Sequence, residues 1–417
     1  MKFSSSRSKS TSFKIQKGPQ VFLDRNTSFI NMDPLQAILD TDPYVSIGRL
    51  GAGAYGIVDK VEKRDNPGIV YARKSVRMSG RDSEIFVQAA NNEVRILRRL
   101  QHRHIVKILE VYTHGRELSI VMLQVADLDL QRYLDHADVA TGPQKESLRS
   151  LMIRWPGCLI QAIDYLHEMR VKHKDLKPDN ILVKGDQVII ADFGISKDLI
   201  DEATTKTLNY GPRGTPEYMA PETFEDERRG RSVDIFALGC IFLEIATIVI
   251  GPPGSLKRFS DYRGSRGASA YCRNPMKIVQ WIWHLWGLWD QYGVLRQKRK
   301  IKINKLMEHG AAIYDLAFFM LDPDPKKRIT SRQLDAITHA SYLYFHHSIN
   351  ALACELCRSG VVVDEPNLPL HSVYKDTDDL IHPKTPEEAL SGPDIAEDWE
   401  AVKRLWLQEH MWWDVET

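Results

Sequence analysis

The chain has 417 residues, 43% hydrophobic and 27% charged, the balance of a soluble globular protein with a sizeable core. Its 56 basic and 55 acidic side chains leave a net charge of +1, which excludes whole-molecule attraction to nucleic acid or to an anionic membrane. Five cysteines are too few for a disulfide framework and point to a reducing compartment inside the cell, cytoplasmic or nuclear.

The chain opens on a serine-rich basic stretch with Arg7, Lys9, Lys14 and Lys17 and no apolar run of the secretory kind, so residues 1–43 read as a flexible leader. From Tyr44 the pattern turns to strands. VSIGRL and IVDKVE flank a glycine cluster, Asn66-Pro67-Gly68 marks a turn, and IVYARKSV forms a third strand. Residues 84–100 carry apolar side chains at helical spacing, and 105–125 return to strands. Beyond Asp127 helices are predicted over 128–136, 147–169, 232–247, 276–290, 311–321 and 331–342. The apolar run Ile235–Ile250 is short for a membrane span and carries Glu244, so it reads as a buried core helix and no span is expected. Residues 346–417 combine a Pro/Asp-rich linker with a terminal helix from Ile395 to Trp412. Cys354 and Cys357 form a single C-x-x-C. A structural zinc site usually takes four ligands and no second cysteine pair follows, so this reads as an ordinary pair of helical thiols. The pattern is α+β and two-lobed: a small β-rich lobe with one main helix over 44–124, then a larger, mainly helical lobe over 125–345.

Four stretches carry chemistry. Gly51, Gly53 and Gly56 in GAGAYGIV let the backbone pass close over phosphates. A strand, not a helix, follows them, which argues against a dinucleotide fold and for a flap over a nucleotide. Lys74 ends the third strand, and Glu93 on the following helix is its expected partner, the pair holding phosphates in position. The stretch His173-Lys174-Asp175-Leu176-Lys177-Pro178-Asp179-Asn180 fits H-x-D-L-K-P-x-N at six positions. Average residue usage would produce that by chance in about one chain in 100,000 of this length. Asp192-Phe193-Gly194 follows a strand pair, and Ala220-Pro221-Glu222 comes later.

In that order and spacing, these motifs resemble the eukaryotic protein kinase family over about residues 44–345. The resemblance implies a two-lobed kinase fold, ATP and Mg²⁺ as cofactors, and protein substrates. Asp175 would orient or accept the proton of the substrate hydroxyl, Lys177 would steady the γ-phosphoryl group, and Asn180 and Asp192 would hold Mg²⁺. Leu50, Val58 and Ala72 would line the adenine pocket, with Met122 as gatekeeper and Leu123, Gln124 and Val125 as hinge. Asp129 would meet the ribose. Thr215 in G-T-P-x-Y, together with Lys177, resembles serine/threonine kinases. Asp234 would brace the catalytic loop, and Glu222 with Arg328 would form an ion pair in the helical lobe. The rival reading is a pseudokinase, a binding module without catalysis, but the lysine and both aspartates whose loss marks such proteins are all in place.

Thr204, Thr205, Thr207 and Tyr210 are the phosphosites to consider. Two departures from the family stand out. Lys174 replaces the arginine that usually holds such a phosphate, keeping the charge without the bidentate fork. The stretch 251–304 is long and carries Trp281, Trp283, Trp286 and Trp289, which read as lobe packing with substrate docking as the alternative. Asp129, Asp179 and Glu244, if near a bound peptide, would give a mild preference for basic residues before the target hydroxyl.

Overall fold

The computed structural model describes residues 38–53, 56–77, 94, 98–123, 125–193, 216–225, 230–264, 269–299, 305–339, 353, 354 and 357. Every feature below belongs to the unit of residues 34–417.

A six-stranded sheet forms the first lobe. Its strands are β1 (Ile38–Leu39), β2 (Tyr44–Gly53), β3 (Gly56–Lys63), β4 (Asn66–Arg77), β5 (Ile108–His114) and β6 (Glu117–Met122), in the order β1-β5-β6-β4-β3-β2. β2 and β3 form a hairpin that closes at the Gly53–Gly56 pair. Gly56 has φ +131°, and a Cβ there would stand 2.2 Å from the Ser75 carbonyl oxygen, so only glycine lets the hairpin lie this close to β4.

The last residues of the expected leader over 1–43 are part of the first lobe. β1 pairs in parallel with Thr113 and His114 of β5. Asp42 accepts hydrogen bonds from Arg73 Nη1 at 2.5 Å and from Tyr112 Oη at 2.7 Å. Residues 38–43 therefore belong to the sheet lobe. A two-residue strand is too short to leave a period-2 pattern, which is why the sequence hides it.

A three-stranded sheet, β7 (Leu128–Asp129), β8 (Ile181–Lys184) and β9 (Gln187–Ile190), opens the second lobe. Its helices are α1 (Leu130–Val139), α2 (Gly142–Met152), α3 (Trp155–Glu168), α4 (Glu222–Glu225), α5 (Ser232–Ile250), α6 (Ser255–Arg263), α7 (Pro275–Arg299), α8 (Lys305–Met320) and α9 (Ser331–His339). The single helix expected over 147–169 is two. Pro156 has no N–H to donate and crowds the preceding turn, so α2 ends and α3 restarts with proline in its first turn. α5 is apolar all round and is buried from Val233 to Ile250. By length and composition it could cross a membrane, but it is wholly covered by its own lobe.

The tryptophans of α7 pack. Trp281 stacks on Phe259 with ring centroids 4.9 Å apart and donates its Nε1–H to Thr247 Oγ1 at 2.9 Å. Trp283 is buried, and Trp286 and Trp289 lie half-buried against the same core. The expected helix over 84–100, with Glu93, lies outside the described residues apart from Val94 and Arg98–Leu100. So do Gln124, Gly194, the four phosphosites, Thr215 and the C-terminal tryptophans.

Candidate active site

The site sits where β4 and β6 meet the residues that follow β9 in the second lobe, Asp192 and Phe193. On β4, Ala72 pairs with Met122 and Lys74 with Ile120, while Val58 of β3 pairs with Lys74 from the other side. Directly paired residues in an antiparallel sheet share a face, and so do residues two apart. Val58, Ala72, Lys74, Ile120 and Met122 thus occupy one face. Ala72 and Met122 are buried, and Leu50, Val58 and Val125 are partly buried against the core. A cleft behind this face is lined by Lys74, Val106, Ile108, Ile120, Met122, Asp192 and Phe193. Leu123 leaves β6 with its N–H bonded to the Lys107 carbonyl at 3.0 Å, which fixes the start of the segment joining the lobes.

Lys74 Nζ donates to Asp192 Oδ1 at 2.5 Å. The described partner of this lysine is therefore Asp192, the expected metal ligand, and the anticipated Glu93 contact falls outside the described residues. Asp192 has φ +57°, a left-handed conformation unusual for a residue with a side chain. Two hydrogen bonds hold the strand that leads to it: Ala191 N–H to the Asn180 carbonyl at 2.9 Å, and His173 Nε2–H to the Ala191 carbonyl at 2.8 Å.

Asp175, Lys177 and Asn180 share the loop before β8. Asn180 donates Nδ2–H to the Asp175 carbonyl at 2.7 Å and lies 3.4 Å from Asp175 Oδ2. That contact fixes the amide and turns its carbonyl oxygen away as a hard acceptor. Lys177 Nζ stands 3.9 Å from Asp175 Oδ2, a cation beside the carboxylate. An amide oxygen and the Asp192 carboxylate are the hard oxygen donors that Mg²⁺ takes, and Lys74 and Lys177 add cationic charge for phosphate oxygens. Nothing stands within 4 Å of where a Gly51 Cβ would be, so the flap keeps open space on that side. The residues present fit Mg-ATP.

The loop is braced from below by Asp234 in the first turn of α5. Its carboxylate accepts the backbone N–H of His173 and of Lys174, each at 3.0 Å, and pairs with His167 Nε2 at 3.0 Å. His167 Nδ1 lies 3.1 Å from Ser331 Oγ, so α3, α5 and α9 all bear on the loop. Burial opposes the charge on Asp234, but the His167 hydrogen bond, the nearby histidines and the backbone donor outweigh it and hold the carboxyl below its ordinary value. Lys174 itself has φ +69°, a strained conformation held by its N–H bond to Asp234. His167 and Ser331 are functional supports that no motif marks. Glu222 and Arg328 form the anticipated ion pair, with Nη1–Oε1 at 2.6 Å and Nη2–Oε2 at 3.0 Å.

Two expected contributions look different in place. Asp129 caps α1, accepting the Arg132 N–H at 2.8 Å, and lies 3.3 Å from Arg132 Nε, so its carboxylate already serves the helix end. Glu244 is buried in the middle of α5, where the hydroxyls of Tyr218 and Tyr271 donate to it at 2.9 and 2.8 Å and Arg263 lies 4.0 Å away. A carboxylate buried among these groups does not face a peptide. Of the three acids, Asp179 is exposed.

A family profile described as a protein kinase domain matches residues 44–342. Among curated proteins, the chain is similar to the calcium/calmodulin-dependent protein kinase type 1 of Macrobrachium nipponense. The two are 32% identical over 207 residues, 48% of this chain and 55% of that protein. It is also similar to cyclin-dependent kinase E-1 of Arabidopsis thaliana, 30% identical over 319 residues, 70% of this chain and 64% of that protein. The chain thus spans 55% and 64% of the lengths of these two relatives. Among solved structures, it is similar to Rad53 1-466 in complex with AMP-PNP, with a TM-score of 0.46 and 23% identity over 70% of this chain and 63% of that one.

Proposed function

The chain belongs to the protein kinase family, and we propose from that membership that it transfers the γ-phosphoryl group of Mg-ATP to serine and threonine hydroxyls of protein substrates. The observation that carries the proposal is the grouping of Asp175, Lys177 and Asn180 in one loop, tied through the Asn180 carbonyl to Ala191, next to the Lys74–Asp192 pair that lines the cleft.

Mg-ATP, when bound, supplies the transferable phosphoryl group and the metal charge that offsets its oxygens. Asp175 orients the incoming hydroxyl and takes its proton at the carboxylate. Lys177, beside it, draws negative charge on the transferred group toward the acceptor. Asn180 and Asp192 would hold the metal through their oxygens, and Lys74 would supply cationic charge to phosphate oxygens. Phosphoryl transfer needs such positioning and charge complementarity more than covalent help from the protein. The serine/threonine assignment rests on Lys177 in the loop. Five free cysteines accord with an intracellular location, cytoplasmic or nuclear. The catalytic unit is taken to run from residue 38 to about 345, with 346–417 as an extension.

Mass-spectrometric mapping of acceptor sites on a mixed protein substrate tests the assignment. Phosphate on serine and threonine is expected. Phosphate confined to tyrosine would contradict the residue class, and Mg-ATP binding with no transfer at all would favour the pseudokinase reading.

A further inference from the structure

Away from the cleft, four side chains from three distant parts of the sequence meet at one point. His104 lies in the segment before β5, Cys158 on α3, and Cys354 and Cys357 in the C-terminal extension. Their four ligand atoms all lie within 4.8 Å of one another. We propose that His104, Cys158, Cys354 and Cys357 form a structural zinc site that fastens the C-terminal extension to the back of the catalytic lobe.

The geometry is that of a tetrahedral ligand set around a small ion. Zinc bond lengths of about 2.3 Å to sulfur and 2.0–2.1 Å to nitrogen put tetrahedral ligands about 3.8 Å apart for two sulfurs and about 3.5 Å apart for sulfur and nitrogen. Cys354 Sγ lies 3.6 Å from His104 Nε2. The imidazole is also held in the tautomer a metal needs. His104 Nδ1 is 2.7 Å from the Val188 carbonyl, which can only accept, so Nδ1 carries the proton and Nε2 presents its lone pair to the sulfurs. Cys354 N–H donates to Cys158 Sγ at 3.2 Å, a bond that favours thiolate at that sulfur. Cys357 N–H returns to the Cys354 carbonyl at 3.0 Å, closing the C-x-x-C into a turn that aims both thiols inward.

The chemistry of the set selects the metal. Three thiolates and one imidazole suit zinc and not Mg²⁺ or Ca²⁺, and four protein ligands leave no open position for catalysis. His104, Cys158 and Cys357 are buried and Cys354 is half-buried, as in a closed structural site. A disulfide would use two of the sulfurs and give no account of an imidazole nitrogen aimed at them. The C-x-x-C that looked isolated in sequence finds its other two ligands roughly 200 residues upstream or more, in a different spacing class from zinc-finger pairs.

The site has a place in the architecture. Gln161 Nε2, on the same helix as Cys158, donates to the Cys357 carbonyl at 3.2 Å and helps seat the extension. The His104 carbonyl accepts the Ile190 N–H, and Val106 N–H donates to the Ile190 carbonyl, both at 2.8 Å. The ligand-bearing segment is therefore stitched to β9, two residues before Asp192. A metal here joins the first lobe, the second lobe and the tail behind the catalytic strand. The inference does not depend on phosphoryl transfer.

Elemental analysis of the purified full chain, expressed with zinc and kept reduced, tests it. About one zinc per chain is expected. Cys354→Ser with Cys357→Ser should lose the metal, and Cys272→Ser, outside the cluster, should keep it. If the double variant misfolds, His104→Ala and His104→Cys separate ligation from folding, because the cysteine can restore a four-ligand site and the alanine cannot. Cobalt substituted into wild type should give thiolate-to-cobalt charge-transfer absorption and tetrahedral d–d bands, and a strong chelator should lower the wild-type Tm but not that of the double variant. Folded wild type that takes up no zinc would overturn the proposal. Equal zinc in wild type and the double variant, or a disulfide among Cys158, Cys354 and Cys357 in reduced preparations, would overturn it as well.

Discussion

At the scale of residues, the catalytic stretch was readable because its chemistry demands particular side chains at fixed short spacing. Asp175, Lys177 and Asn180 lie within six positions and act from one loop, so sequence proximity and spatial proximity coincide. Lys74 and Asp192 are 118 positions apart, and their 2.5 Å bond comes from the fold. Lys74→Met should lower kcat/KM by about 10²–10³-fold, the usual cost of one electrostatic donor in such a site, while leaving the fold intact. Steady-state kinetics with a matched Tm checks this, and a fall in Tm as large as the loss of rate would argue for a structural role instead. Glu244 shows what spacing could not reveal. Burial pushes its carboxyl up to about 7 in spite of Arg263 and the two tyrosine hydroxyls. The folded chain then keeps a proton that an unfolded chain releases near the ordinary 4.5. Stability from this group is present below that value and is lost as pH rises toward 7. Wild-type Tm should fall across this window relative to Glu244→Gln, and parallel Tm profiles for the two proteins would contradict the assignment. The sequence placed Glu244 in an apolar helix but could not show Arg263, Tyr218 and Tyr271 converging on it, because those contacts are long-range.

At the scale of elements, apolar periodicity located α1, α5, α7, α8 and α9 well, since each buries a stripe or a whole circumference. It failed where local patterns are short or broken. β1 has two residues, and Pro156 divides one predicted helix into α2 and α3 without interrupting the apolar pattern. The β2–β3 hairpin depends on Gly56, whose φ of +131° and 2.2 Å virtual Cβ contact exclude other residues. Gly56→Ala must strain the backbone and push β3 from β4, and a loss of about 2 kcal/mol or more is expected. Chemical denaturation measures it, and a variant as stable as wild type would mean that the hairpin can lie elsewhere. The effect on nucleotide binding should follow, because Val58 and Lys74 are paired across that same boundary.

At the scale of the whole molecule, the catalytic loop is held by contacts from distant segments. Ser331 on α9, His167 on α3 and Asp234 on α5 form one chain of hydrogen bonds that ends on the backbone of His173 and Lys174. The core helix that resembles a membrane span is the post on which the catalytic loop is set, and its apolar circumference follows from being enclosed by its own lobe. The two-lobed plan was legible from the change of period near residue 127. The seat of Cys354 and Cys357 was not, since their neighbours His104 and Cys158 lie roughly 200 residues upstream or more, in another lobe and on a helix. The central claim is that this arrangement is a working phosphoryl-transfer site, and it is tested most directly by γ-labelled ATP with wild type and Asp175→Ala, Mg-ATP affinity being measured on both. The account predicts label on protein substrate with wild type, a rate about 10²–10⁴-fold lower with the variant, and similar nucleotide affinity for the two. Equal transfer by both proteins, or none by a wild type that binds Mg-ATP, would contradict it.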